Sequence, residues 1–317
     1  EAVTYNTNPF AMMKKPRLPW REAALAIGLS CVTPAEGLSS LSWRSDDRSA
    51  QLFDPLAWEE PSAPVQIFME NPNSPQLIYD HMPKAGGTFL VNILRASIGR
   101  RSFFLHREFE GISEQQEEDF FTIGSIRNPC DYYVSLWAYG AEGNGRFPQS
   151  INKLGHSEVY HTKSMAKDSK EDVQKFRKWM QLISKDGMPG TMSLRVATSY
   201  GRDPALEGLW GPPTEYNSSI LELARHALDN FQPESIDCWV HSEQLVPEVT
   251  ACLKMYEKNT GKRVDWQIFQ ETLDKGIVKS SVHGKCRDYF DDATAALVRR
   301  NDKMMFEKFG YDTCCKP

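Results

Sequence analysis

The stretch HMPKAGGTFL, residues 81–90, decides the fold of this chain. It follows the apolar run QLIY and overlaps FLVNIL, whose apolar density is typical of a packed helix. We therefore predict a buried strand over 76–80, a tight glycine turn and a helix over 87–98. In this order, the backbone N–H groups at the start of the helix face a space suited to phosphate.

The composition is that of a folded protein of enzyme size. The chain has 317 residues, of which 40% are hydrophobic and 25% charged, with 8 Trp and 16 Phe. Its formal net charge of -5 argues against nucleic-acid binding, so an anion site must be built from local charges. No run of eighteen or more apolar residues occurs, so no transmembrane span is predicted.

The order of elements predicts an α/β fold: a P-loop-like, three-layer arrangement with a central parallel sheet flanked by helices. Residues 1–75, rich in Pro and Ser and without periodicity, are predicted to form an irregular, extended N-terminal arm, and residues 76–317 the main domain. Further strands are predicted over 101–106, 120–126 and 236–240. Further helices are predicted from Pro129 to about Tyr139 and over 169–187, 218–230, 242–258 and 288–309, with long loops over 140–167 and 201–217.

The cysteines give only weak information on metal binding and compartment. There are 7, without CxxC spacing, which disfavours a zinc site. An odd number leaves at least one cysteine unpaired or paired to another chain. One acceptor pattern for N-glycosylation, Asn217-Ser218-Ser219, is compatible with a secretory lumen.

The glycine turn is not a Walker P-loop. In that motif the lysine follows the glycines, whereas here Lys84 precedes Gly86 and Gly87. The glycines still let backbone N–H groups approach a phosphate, Thr88 opens the helix, and Lys84 adds a positive charge. A P-loop kinase is further disfavoured because no acidic magnesium motif is evident. Taken alone, the stretch is also compatible with an ordinary strand-to-helix turn.

Two stretches together resemble the cofactor-binding motifs of sulfotransferases. Residues 81–88 resemble the 5′-phosphosulfate-binding motif, especially that of carbohydrate sulfotransferases with His-x-Pro-Lys-x-Gly-Gly-Thr. IGSIRNPCDYYVSLW, at 123–137, resembles the strand–Arg–Asp–Pro–helix segment that binds the cofactor's 3′-phosphate, with Asn128 in place of the commoner Asp. The resemblance implies that Arg127 and Ser135 contact this phosphate. Arginine suits the task because its guanidinium is a rigid bidentate fork.

The cofactor implied by this resemblance is 3′-phosphoadenosine 5′-phosphosulfate (PAPS), with 3′-phosphoadenosine 5′-phosphate (PAP) as product. Residues 279–312 resemble the family's C-terminal pattern of a Lys/Ser loop and a helix that ends in Phe-Gly-Tyr, and 239–245 resemble its strand–Glu–helix segment, with Glu243 as a structural cap. The predicted cofactor-binding residues are Lys84, Ala85, Gly86, Gly87, Thr88, Phe89, Arg127, Ser135 and Ser281. Lys84 is also predicted to stabilise the bridging oxygen as it leaves.

Sulfuryl transfer to a hydroxyl also needs a base for the acceptor proton. His106 ends the second predicted strand, at the edge where ligands of open parallel sheets bind. Its place between the two motifs resembles that of the catalytic histidine in uronyl 2-O-sulfotransferase-like members. We predict His106 as the base, with Glu108 and Glu110 as the next candidates and a purely structural His106 as the alternative. His81 is expected to support the turn.

These motifs predict a sulfotransferase that moves a sulfuryl group from PAPS to a hydroxyl acceptor by in-line displacement, without a metal. The resemblance implies a carbohydrate acceptor and a location in the Golgi or another secretory lumen. The alternative function is a non-catalytic binding or structural subunit with the same fold.

Overall fold

The structure is a computed structural model, and it describes most of the chain from residue 76 onward. The described residues are 76–99, 102–106, 111–145, 147–160, 170–201, 212, 214, 216–276 and 283–315. The predicted N-terminal arm, 1–75, lies outside the described residues.

A parallel sheet of four strands forms the centre of the described chain, in the order β2-β1-β3-β4. The strands are β1 (Leu77–Asp80), β2 (Phe103–His106), β3 (Phe121–Ile126) and β4 (Cys238–His241). Leu77 of β1 lies beside Phe103 on one side and Phe121 on the other. Because all the strands run the same way, the connections that follow them meet at one edge of the sheet.

Helices follow and flank these strands. They are α1 (Gly87–Ile98), α2 (Glu114–Asp119), α3 (Pro129–Ala141), α4 (Phe147–Lys153), α5 (Lys170–Ile183), α6 (Thr191–Tyr200), α7 (Ser218–Asn230), α8 (Leu245–Thr260), α9 (Trp266–Asp274), α10 (Cys286–Tyr289), α11 (Asp292–Asn301) and α12 (Lys303–Phe309). The predicted α/β fold with a central parallel sheet flanked by helices is confirmed.

Each face of the sheet has its own hydrophobic cluster. Leu77 and Tyr79 pack in the cluster that includes α1, α8 and α9, whereas Ile78 packs in the cluster that includes α3, α5 and α6. This alternation is the period of two expected for a strand that is buried on both faces. The fully buried Trp137 and Trp179 are the largest side chains of the second cluster.

Three predictions for the long segments need correction. The loop predicted over 140–167 contains α4, which forms because Phe147 and Ile151, four residues apart, bury their side chains on one helix face. The helix predicted over 288–309 is two helices, α11 and α12. The strand predicted over 236–240 begins at Cys238.

Asp302 interrupts the predicted terminal helix because its side chain turns into the core. The carboxylate accepts hydrogen bonds from N of Ser193 at 2.7 Å and from the hydroxyl of Tyr133 at 2.8 Å. Gly190 makes room for it, since a Cβ at residue 190 would lie 2.1 Å from Cγ of Asp302. Burial raises the pKa of Asp302 to about 6, although these hydrogen bonds act in the opposite direction.

Three disulfides join distant parts of the described chain. They are Cys130–Cys314, Cys238–Cys252 and Cys286–Cys315, while Cys31 lies outside the described residues. Disulfides of this kind are typical of oxidising compartments. Within the described ranges, no helix has the length and apolar character needed to cross a membrane.

Candidate active site

The turn between β1 and α1 holds two residues in the left-handed backbone region. Lys84 has a φ of 63° and Gly86 a φ of 82°, and among the described residues Lys84 is the one non-glycine with positive φ. This conformation costs a residue with a side chain about 1–3 kcal/mol and is concentrated at functional sites. Gly87 has no room for a side chain, since a Cβ there would lie 2.0 Å from Cδ2 of His81. Burial lowers the pKa of His81 to about 4, so a neutral ring supports the turn.

Three long helices begin at this edge of the sheet, α1, α3 and α8, and their first turns differ. That of α8 contains Glu248. The N-cap of α1 is Gly86, which makes no side-chain cap, and its first turn contains the exposed Thr88 and no acidic residue. The N-cap of α3 is Asn128, whose Oδ1 accepts from N of Cys130 at 3.0 Å, and Asp131 follows in the first turn. The N-terminus of α1 is therefore the best suited to a phosphate group.

The two sequence motifs meet in the folded chain. β3 pairs with β1, and Arg127, directly after β3, donates a hydrogen bond from Nη1 to the backbone O of Lys84 at 3.2 Å. These residues are 43 positions apart in the sequence. A guanidinium, an ammonium and the uncapped N-terminus of α1 are thus part of one site, which has the donors and positive charge that phosphate groups require.

The surroundings of Arg127 compensate its charge. Burial lowers the pKa of its guanidinium, and the nearby Asp131, Glu243 and Tyr311 act in the opposite direction. The Glu243 carboxylate accepts from the backbone N of Asn128 at 2.6 Å. Glu243 was predicted to be a structural cap. In the structure its carboxylate binds the backbone N of Asn128, which is the N-cap residue of α3.

The ammonium group of Lys84 rests on an aromatic ring. Its Nζ lies 4.3 Å from the ring centroid of Tyr139, which is 37% exposed near the end of α3. A cation–π contact at an exposed position is worth about 0.5–1 kcal/mol.

The other predicted cofactor residues differ in exposure. Ala85 is buried, Thr88 is exposed, and Phe89 packs against the core. Ser135 lies within α3 and is 2% exposed, so a contact between its hydroxyl and a phosphate stays a prediction. Ser281 lies outside the described residues.

His106 ends β2, as predicted, and both of its ring nitrogens have partners. Nδ1 lies 2.7 Å from the backbone O of Gly111, and Nε2 lies 3.1 Å from Nε2 of Gln116. Because the carbonyl accepts and the amide nitrogen donates, Nδ1 carries the proton and Nε2 accepts one. The residue is also buried, an arrangement typical of a structural histidine, and its role as base stays a prediction. The alternatives Glu108 and Glu110 lie outside the described residues.

His283 is a histidine that the sequence motifs did not assign to the site. Burial lowers its pKa, a hydrogen bond to the carbonyl of Gly284 raises it, and the charges of Arg127 and Lys84 lower it again. Nδ1 lies 2.8 Å from that carbonyl oxygen, so Nδ1 carries the proton and Nε2 offers its lone pair. A neutral imidazole close to two cations of the site is a second candidate base.

Three other residues of the site received no role from the motif comparison. Asp131, Tyr139 and Tyr311 lie near Arg127 or Lys84. Asp131 falls within the segment 123–137 and Tyr311 ends the Phe-Gly-Tyr pattern, but the resemblance assigned neither of them to the ligand. Tyr139 stands two positions before the end of α3, and Tyr311 directly follows the glycine that ends α12. Only the tertiary fold brings them to the site.

No protein-family profile and no curated protein matches the chain. Among solved structures, the chain is similar to mouse sulfotransferase SULT7A1 complexed with PAP. The TM-score is 0.35 and the sequence identity 12%, over 76% of this chain and 86% of that chain.

Proposed function

We propose that this protein is a sulfotransferase that moves a sulfuryl group from PAPS to a hydroxyl acceptor. The observation that carries the proposal is the hydrogen bond from Nη1 of Arg127 to the backbone O of Lys84. It joins two segments that each resemble a phosphate-binding motif of sulfotransferases. The two segments thus form one site, as a cofactor with phosphate groups at both its 5′ and 3′ positions requires.

Different residues would bind the 5′-phosphosulfate and the 3′-phosphate of the cofactor. The backbone N–H groups at the start of α1, with Lys84 and Thr88, would hold the 5′-phosphosulfate, because this helix terminus has no side-chain cap. Arg127 would bind the 3′-phosphate, with Ser135 as a further donor if the bound ligand reaches it. Phe89, which packs against the core, would fix the first turn of α1.

The transfer itself is a displacement at sulfur. The bond between sulfur and the bridging phosphate oxygen breaks while the acceptor oxygen forms a new bond to sulfur. The leaving oxygen stays with PAP, and Lys84 would stabilise the negative charge that develops there. The acceptor proton passes to a base, for which His106 and His283 are the candidates.

The proposed acceptor is a carbohydrate hydroxyl. The support is the resemblance of residues 81–88 to the motif of carbohydrate sulfotransferases. The proposed location is the Golgi or another secretory lumen, which the three disulfides favour because they persist in oxidising compartments.

A transfer assay with isotopically labelled PAPS and a panel of glycans tests the proposal. We expect label in at least one glycan with the wild type, and loss of transfer in Lys84→Ala. Lys303→Ala is the matched control, because Lys303 is exposed on α12 and pairs with Glu307. Binding of PAP without transfer to any acceptor would favour the non-catalytic subunit, and absence of both would refute the proposal.

The same assay separates the two candidate bases. Loss of a general base lowers kcat by roughly 10²–10⁴-fold. We expect this loss in either His106→Gln or His283→Gln, with unchanged affinity for PAP. If neither variant loses activity, the base is another residue.

A further inference from the structure

Two disulfides fasten the C-terminal segment across the start of α3. Cys130 of α3 pairs with Cys314, and Cys286 of α10 pairs with the adjacent Cys315. We refer to residues 311–315 as the C-terminal clasp. Cys130 is three residues from Arg127, so the clasp is covalently attached beside the proposed 3′-phosphate site.

Asn128 links the clasp to the same point by hydrogen bonds. Its Nδ2 donates to the backbone O of Thr313 at 2.8 Å, while its Oδ1 accepts from N of Cys130 at 3.0 Å. An aspartate could make the second contact but not the first, because its carboxylate has no donor. Asn128, which stands where Asp is commoner, therefore makes a contact that Asp could not make: its amide nitrogen binds the clasp.

Glu243 contacts Tyr311 of the clasp and lies close enough to Arg127 to affect its pKa. One carboxylate oxygen accepts from the backbone N of Asn128 at 2.6 Å, and the other is 3.5 Å from the hydroxyl of Tyr311 in the clasp. Burial raises the pKa of this hydroxyl, so Tyr311 is a neutral donor. These contacts hold a carboxylate near Arg127 while its oxygens are directed to other partners.

We propose that the clasp is a positioning element for Arg127, and that it sets the preference of the site for a ligand with a 3′-phosphate. With the clasp in place, Glu243 is bound to Asn128 and Tyr311, and Arg127 is held on the carbonyl of Lys84. Of these partners only Tyr311 belongs to the clasp, so without the clasp one oxygen of Glu243 loses its partner and can turn to Arg127 and compete with the ligand phosphate. The inference rests on the proposed function, since it assigns Arg127 to that phosphate.

Two changes loosen the attachment of the clasp to α3 in different ways. The double variant Cys130→Ser/Cys314→Ser removes one of the two disulfides of the clasp. Asn128→Ser removes the amide donor to Thr313 and adds no charge beside Arg127, while it keeps every cysteine and an oxygen that can cap α3. The matched control is Cys238→Ser/Cys252→Ser, which removes the disulfide between β4 and α8 and leaves the clasp attached.

The readout is the ratio of the Kd for adenosine 5′-phosphate to the Kd for PAP, measured by calorimetry. The two ligands differ only in the 3′-phosphate, so a general loss of structure weakens both. Both clasp variants should weaken the hydrogen bond between Arg127 and the charged 3′-phosphate. We therefore expect the ratio to fall by roughly tenfold or more in both. The Kd for adenosine 5′-phosphate should stay close to that of the wild type, and the control should keep the wild-type ratio.

The outcomes separate this inference from the proposed function. An unchanged ratio in Asn128→Ser, or an equal fall in the control, would overturn the role of the clasp while the wild type still prefers PAP. If the folded wild type shows no preference for PAP, the proposed function itself fails. Should the double cysteine variant not fold, Asn128→Ser still decides, because all the disulfides remain.

Discussion

Asp302 provides a test of the packing that supports α3, because its carboxylate is buried and is bound to Tyr133 of that helix. Burial raises its pKa from an ordinary value of 3.8 to about 6. One pKa unit corresponds to about 1.4 kcal/mol, so the full shift is worth about 3 kcal/mol in stability. We expect Asp302→Asn to remove this pH-dependent contribution, since an amide stays neutral.

The sign of the effect follows from the direction of the shift. Between pH 3.8 and about 6, the folded state holds the proton of Asp302 more tightly than the unfolded state does. The contribution is therefore fully present below pH 3.8, falls as the pH rises, and is lost above about 6. From pH 4 to pH 7, the wild type should lose about 2 kcal/mol relative to Asp302→Asn.

Thermal unfolding at a series of pH values measures this difference. For a domain of this size, the wild-type melting temperature should fall by roughly 4–8 °C relative to the variant between pH 4 and pH 7. Asp291→Asn is the control: the pKa of Asp291 is lowered by its hydrogen bonds to Thr294, so its contribution changes below this pH range. A constant difference between wild type and Asp302→Asn, or a change of opposite sign, would refute the reasoning from burial.

Three further predictions follow from individual contacts. Gly87→Ala should weaken PAP binding by roughly 5–150-fold, because the new Cβ meets the His81 ring and overpacking costs about 1–3 kcal/mol; calorimetry that finds unchanged affinity would show that the shape of the turn is not required. Phe176→Ala should destabilise the fold by about 3–5 kcal/mol, since the side chain is fully buried, and urea unfolding that gives less than 1 kcal/mol would contradict its place in the core. Secretion from animal cells should attach a glycan to the exposed Asn217, whose Oδ1 caps α7, and glycosidase treatment should lower the mass of the wild type but not of Asn217→Gln; an equal mass before and after treatment would refute the site.

Local signals in the sequence were sufficient for the strands and helices that form the proposed cofactor site. The helix α1 was predicted residue for residue, because the glycines before it and the apolar run within it define both ends. Pro129 marked the start of α3 in the same way, since proline suits the first turn of a helix. The resemblance to sulfotransferases implied that Arg127 and the turn bind one cofactor, and in the structure the parallel strands β1 and β3 bring the two together at one edge of the sheet.

Contacts between distant residues were not predictable from local patterns. The break between α11 and α12 depends on Asp302 reaching Ser193 and Tyr133, which are more than a hundred positions away. The partners of the cysteines depend on the tertiary fold, and seven cysteines allow many pairings. The position of His283 near Lys84 and Arg127 likewise requires the folded chain.

The most direct test of PAP binding at Lys84 and Arg127 is a calorimetric titration of the folded protein with PAP, alongside the variants Arg127→Ala and Arg177→Ala. Arg177 is a suitable control because it lies on α5 and pairs with Asp291, outside the site. We expect micromolar binding by the wild type and Arg177→Ala, and binding at least about tenfold weaker by Arg127→Ala. A folded wild type that does not bind PAP, or Arg127→Ala that binds as tightly as the wild type, would contradict this expectation.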